Sequence, residues 1–147
     1  DISKALLYCV HMLQLQVFFT LYAVSVPIFF ALDMLWLGVI AHSFYQNRIG
    51  HLLGEVHWVT VIIFYLIFLL GLTFFAMYPA VTKGTVLSAV ALGALFGFFT
   101  YATYDLTNLA TLRSWPIPVA IVDIFWGTLL GGFVSLVTVY IYKTFIT

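Results

Sequence analysis

The sequence predicts an all-α integral membrane protein, a four-transmembrane-helix bundle formed as a single domain over residues 1–147, and three observations carry that prediction. Apolar residues make up 65% of the chain and charged residues 7%, with a mean hydropathy of +1.17, a composition that a water-soluble domain of this length could not carry on its surface. Four apolar runs each reach the roughly 20 residues that a helix needs to cross a bilayer. Between them stand "HSFYQNRIGHLLGEVH", "PAVTKG" and "RSWPIP", which hold the Gly, Pro and polar residues that end helices.

The first span reads as Val17 to Ala41 and contains Pro27, whose missing N–H is expected to kink the helix or split its hydrogen-bond ladder. Three readings are open for the leading "DISKALLYCVH": a short interfacial helix, an extension of the first span, or residues ahead of it. The first long apolar run lacks a small-residue cleavage pattern and leads into Asp33 and Trp36, so it reads as a retained span rather than a cleaved signal. The second, third and fourth spans read as 58–78, 85–108 and 117–142. All four must be helices, because hydrocarbon leaves no partner for a free backbone group and the runs lack the alternation of barrel strands.

Five Lys and Arg balance five Asp and Glu, so no basic surplus points to nucleic acid. The single cysteine, Cys9, excludes an internal disulfide framework and a Cys-rich metal site. Four spans put both termini on one side with Lys4, Lys83 and Lys143, and place Arg48, Glu55, Arg113, His42, His51 and His57 on the other. The positive-inside count, three against two, favours cytoplasmic termini; the membrane is expected to be a bacterial inner membrane, with an organelle membrane as the alternative.

The few charges within the spans are the informative ones. Asp33 lies about 12 Å below the end of the first span and Asp123 about 9 Å into the fourth from the same surface, at 1.5 Å of rise per residue. Asp105, near the same end of the third span, completes a convergence of three carboxylates from three helices on one leaflet. An isolated carboxylate there costs a few kcal/mol, so such groups face the bundle interior, pair, or neutralise. Tyr101, Asp105 and Asn108 share a helix face, flanked by Tyr104 and Thr107, and Arg48, Arg113 and the loop histidines are the nearest cationic or titratable groups.

"LDMLWLG" and "VDIFWG" both set a Trp three residues after an Asp, one turn on along the same face. A true inverted repeat would place the two Asp residues in opposite leaflets, so the echo reads as convergent packing. Trp36 and Trp126 lie deep enough to need acceptors for their indole N–H groups, whereas Trp58 and Trp115, at span ends, read as an interfacial belt. Gly93 with Gly97 and Gly127 with Gly131 form GxxxG spacings, read as contacts inside the bundle, although a homodimer would also use them. His42, His51 and His57 are weak metal candidates, since HxxxH and HExxH spacings are absent. No nucleophile elbow, dinucleotide fingerprint or phosphate-binding loop is present, and nothing identifies a cofactor.

"LDMLWLGVIAHSFYQ", "IIFYLIFLLGLTFFAMYPA", "GALFGFFTYATYDLTNLATL", "SWP" and "DIFWG" resemble a family of small bacterial predicted membrane proteins of unknown function, with "YDLTNLATLRSW" the most specific stretch. The likeness runs from about Leu32 to Gly127. It implies a small four-helix membrane protein centred on Asp33, Trp36, Tyr45, Tyr104, Asp105, Asn108, Trp115, Asp123 and Trp126. It supplies no activity.

Three functions fit these observations. The first is a polar pocket lined by the three carboxylates, opening toward the first and third loops, that binds or translocates a proton, cation or small amphiphile. The second is a membrane-embedded enzyme of lipid or isoprenoid metabolism with an Asp as general acid or base. The third is a structural or assembly subunit of a larger membrane complex, in which the carboxylates fix helix register. The bilayer is the expected partner in all three, with a homo-oligomer or larger complex as a further expectation.

Overall fold

A computed structural model of the chain describes residues 2–146, and every regular element among them is helical. Helix α1 (Ile2–Leu35) widens into a π segment (Trp36–Ile40), and α2 (His42–Ile49) with a short 3-10 turn (Gly50–Leu52) forms the first loop. Helix α3 (Trp58–Leu72) passes through a π segment (Thr73–Met77) into α4 (Tyr78–Thr82). Helices α5 (Val86–Thr111) and α6 (Ile117–Ile141) follow, the latter continued by a π segment (Tyr142–Ile146). Four stretches are long and apolar enough to cross a membrane: Leu6–Ile40, Trp58–Thr82, Val86–Thr111 and Ile117–Ile146.

These spans are longer than the apolar runs announce. No breaker stands between Ile2 and Pro27, so the leading residues continue α1 instead of forming a separate interfacial helix; Asp1 lies outside the described residues. The helix runs through Pro27 as one continuous element. The second span extends past Tyr78 because Pro79 is accommodated. Pro79 lacks the N–H that would close onto Phe75, and the widened turn Thr73–Met77 lies immediately before it. A reciprocal cap between Thr85 and Ser88 starts α5, and Pro116 followed by Pro118 in the first turn starts α6.

Helices α5 and α6 make the most intimate pair, and small residues allow it. A Cβ on Gly97 would meet the Gly127 carbonyl, and one on Gly131 would meet the Gly93 carbonyl, so the two GxxxG stripes face each other within the bundle. The other spans close around this pair in layers set by i, i+4 spacing along each helix. Leu21, Met77, Ala89 and Val139 are buried toward the terminal end; Ser25, Thr73, Gly93 and Ser135 come next. Phe29, Leu69, Gly97 and Leu130 form an apolar middle, and Asp33, Tyr65, Tyr101 and Trp126 lie beyond it. Lys143 donates to the Ala80 and Gly84 carbonyls at 3.4 Å, so the carboxyl-terminal end of the fourth span lies beside the turn after the second.

Candidate functional site

At the loop end the bundle is covered by its own chain. Ala41, Tyr45 and Ile49 of the first loop are buried with Val119 of α6, and Trp36, Phe44 and Trp115 pack against them. Helix α2 is short and polar on average, and these apolar anchors are what fold it back over the carboxylates. The pocket expected to open toward the first and third loops is therefore closed by α2 and Trp115. Two open clefts, of about 690 and 570 Å³, flank α1 between Cys9 and Ile28 with Ile141, and no carboxylate lines either of them.

Asp33 is 2% exposed and uses both oxygens: the Tyr65 hydroxyl donates to Oδ2, and the Trp126 indole N–H donates to Oδ1 at 3.0 Å. Three spans are thereby tied at one depth. On the neighbouring side the Tyr45 hydroxyl donates to Asp123 Oδ1 while accepting from the Trp36 indole at 3.2 Å. The two indoles stack between these clusters, with ring centres 4.3 Å apart and planes within 5°. The Asp–Trp echo thus exchanges partners across α1 and α6. Trp126 serves the Asp of the first motif, and Trp36 reaches the Asp of the second through Tyr45, a more specific relation than convergent packing. Burial, then the bond to Asp123, holds the Tyr45 phenol above the ordinary tyrosine range, so it remains a donor.

Asp105 is 0% exposed, and Trp115 donates its indole N–H to Oδ1 at 3.2 Å. Trp115 is therefore half-buried over a carboxylate, not a member of an interfacial belt; Trp58 does stand exposed at its span end. Asp105 Oδ2 has no partner, and neither has Asn108 Nδ2 one turn on, although the exposed Tyr104 lies beside Asn108 with its ring edge-on to Trp115. Tyr101, half-buried against Gly127, sits within electrostatic reach of Asp33, Tyr65, Asp123 and Tyr45, and Asp123 is likewise within reach of Asp105.

The cationic candidates stand apart from this cluster. Arg48 is exposed and lies over the Phe44 ring at 4.1 Å, and Arg113 is exposed in the third loop; neither pairs with a membrane carboxylate. His42, His51 and His57 are exposed, and no group of three or more metal-ligating side chains occurs among the described residues. Tyr65 is the site residue that sequence reasoning missed, because a tyrosine in an apolar aromatic run carries no mark of which carboxylate it will meet. Its distance from Trp58, seven residues or two helical turns from the span's start, is the one signal that could have placed it at the depth of Asp33.

No curated protein and no solved structure matches the chain. Residues 18–140 match the family described as "Predicted membrane protein (DUF2177)", a stretch that reaches beyond the Leu32–Gly127 likeness at both ends and holds every residue of the carboxylate cluster. The chain, a membrane protein with four candidate transmembrane helices, belongs to that family, whose function is unknown.

Proposed function

We propose that the protein binds a proton at the paired carboxylates Asp105 and Asp123, beneath the cover formed by α2 and Trp115. The observation that carries this reading is the second oxygen of Asp105: wholly buried, without a partner, within reach of a second carboxylate and without a protein cation beside it. A wholly buried carboxylate with a second, half-buried one in reach keeps its charge only at a cost, and a proton on Asp105 removes that charge while supplying the O–H that its free oxygen lacks. Asp33 serves differently. With both oxygens filled by Tyr65 and Trp126, it is the clamp that sets helix register.

The test compares Asp105→Asn with Asp33→Asn in detergent. For each, the melting temperature is measured beside the protons taken up per molecule on a downward pH step, followed with an indicator dye. Asp105→Asn is expected to melt close to the parent and to lose uptake. Asp33→Asn is expected to lose about 1.5–3 kcal/mol of stability, the usual worth of a hydrogen bond to a charged group. A fall in stability that tracks the loss of uptake in both variants would favour the assembly-subunit reading, in which all three carboxylates are clamps.

A further inference from the structure

Helix α1 presents two faces, and only one of them is covered. Leu21, Ser25, Phe29 and Asp33, four residues apart, turn into the bundle. The two open clefts run along another side of the same helix, and they are continuous, since Gln16 and Phe19 line both. Cys9, Leu13, Gln16, Thr20, Ala23 and Pro27 follow one another along this groove at steps of 4, 3, 4, 3 and 4 residues, the stripe on which two helices pair. From Cys9 to Pro27 it rises about 27 Å, close to the roughly 30 Å of a hydrocarbon core. Among the described residues of the other spans, Ile141 alone lines it.

The make-up of the stripe suits a helix better than an acyl chain. Thr20 and Ala23 are small enough to let another backbone come close. Pro27 lacks the N–H that would close onto the Ala23 carbonyl, and the Thr20 hydroxyl, which gives its proton to the Gln16 carbonyl at 2.8 Å, keeps an acceptor oxygen. The Gln16 side chain is exposed in the groove, within the first candidate span, and its amide has no hydrogen-bond partner among the described residues. Hydrocarbon offers such groups nothing. A primary amide carries both donor and acceptor, so a second copy of itself complements it, and a lone polar residue in a pairing stripe is a device that fixes register and partner number. The GxxxG stripes of α5 and α6 face each other inside the bundle, which leaves α1 as the face for self-association.

We propose that this groove is the interface between two copies of the chain, with α1 packed on α1 about a two-fold axis along the membrane normal and Gln16 paired with Gln16. Copies inserted the same way round bring their first helices together in parallel, so each stripe residue faces its own counterpart, as an isologous contact requires. Phe19, exposed where the two clefts meet, is the bulky side chain that each copy places in the other's groove. The proposal does not depend on the carboxylate reading.

The single cysteine supplies the test, because Cys9 lies on the stripe and is exposed. The full chain, in the membranes of the cells that express it, is oxidised with copper phenanthroline and run on a non-reducing gel. The parent is expected to form a disulfide-linked dimer through Cys9. With Cys9 replaced by Ala, Leu13→Cys is expected to cross-link, whereas Leu7→Cys and Gln14→Cys, off the stripe, are not. Sedimentation equilibrium in mild detergent gives the second measurement. Gln16→Leu, at an exposed position, is expected to fold as the parent does and to dimerise about 3- to 20-fold more weakly, the range that interhelical hydrogen bonds in lipid cover. Equal cross-linking at positions 7, 13 and 14, a Gln16→Leu chain that dimerises as tightly as the parent, or a monomeric parent would overturn the proposal. A monomer that retains lipid would assign the groove to acyl chains instead.

Discussion

Trp126 and Tyr65 fill both oxygens of Asp33, whereas Trp115 fills only one of Asp105, and that difference divides three similar carboxylates into a clamp and a proposed site. The three Asp residues were legible in the sequence because a carboxylate at membrane depth needs a reason. Their partners were less so. Tyr65 looks like any aromatic in "IIFYLIFLL", and Trp115 at a span end looks like a belt residue until the third loop folds inward. At this scale the exchanged Asp–Trp pairs yield a measurable coupling. Trp126→Phe and Asp33→Asn are expected to be non-additive in thermal stability, with an interaction of about 0.5–3 kcal/mol, as found for residues sharing one network; simple additivity would show that the 3.0 Å contact contributes nothing. Tyr45→Phe removes the link between Asp123 and Trp36 and is expected to cost about 1 kcal/mol by leaving a half-buried acceptor unfilled. Chemical or thermal denaturation of that variant at constant pH checks it.

The elements that position these residues follow from small local causes. The α5–α6 pair depends on glycine where backbones touch, and the GxxxG spacing announced it. Gly97→Ala would drive a Cβ into the Gly127 carbonyl, so the helices must part, with an expected loss of about 1–3 kcal/mol or more. A melting curve within a degree of the parent would mean that the stripe does not set the approach. Helix α2 was not legible. "HSFYQNRIG" reads as an exposed loop because only Tyr45 and Ile49 of its octet are buried, with Phe44 packed beside them, and three apolar residues in a polar octet are a weak pattern. The π segments were also invisible, since the widening at Thr73–Met77 answers to Pro79 and to the packing of three neighbouring helices.

Across the whole molecule, the arrangement of four spans was the most legible feature, since length and hydropathy suffice for it. The span ends were not, because helices continue past the apolar run wherever no breaker stops them: α1 from Ile2 and the fourth span to Ile146. Sidedness follows from the count of spans. After the exposed Cys9 is replaced by Ala, single cysteines at positions 51 and 113 are expected to react from one face and a cysteine at 83 from the other; labelling of 83 and 113 from the same face would overturn this. The central claim concerns the buried Asp105 carboxylate with Asp123 in reach, and infrared difference spectroscopy across a pH titration tests it most directly, because the carbonyl stretch of a protonated carboxylic acid stands apart from the amide bands. The account predicts a titrating carboxylic acid band in the parent that is lost in Asp105→Asn, shifted in Asp123→Asn through their coupling, and retained in Tyr104→Phe. A band unchanged by Asp105→Asn, or no titrating acid band at all, would contradict it.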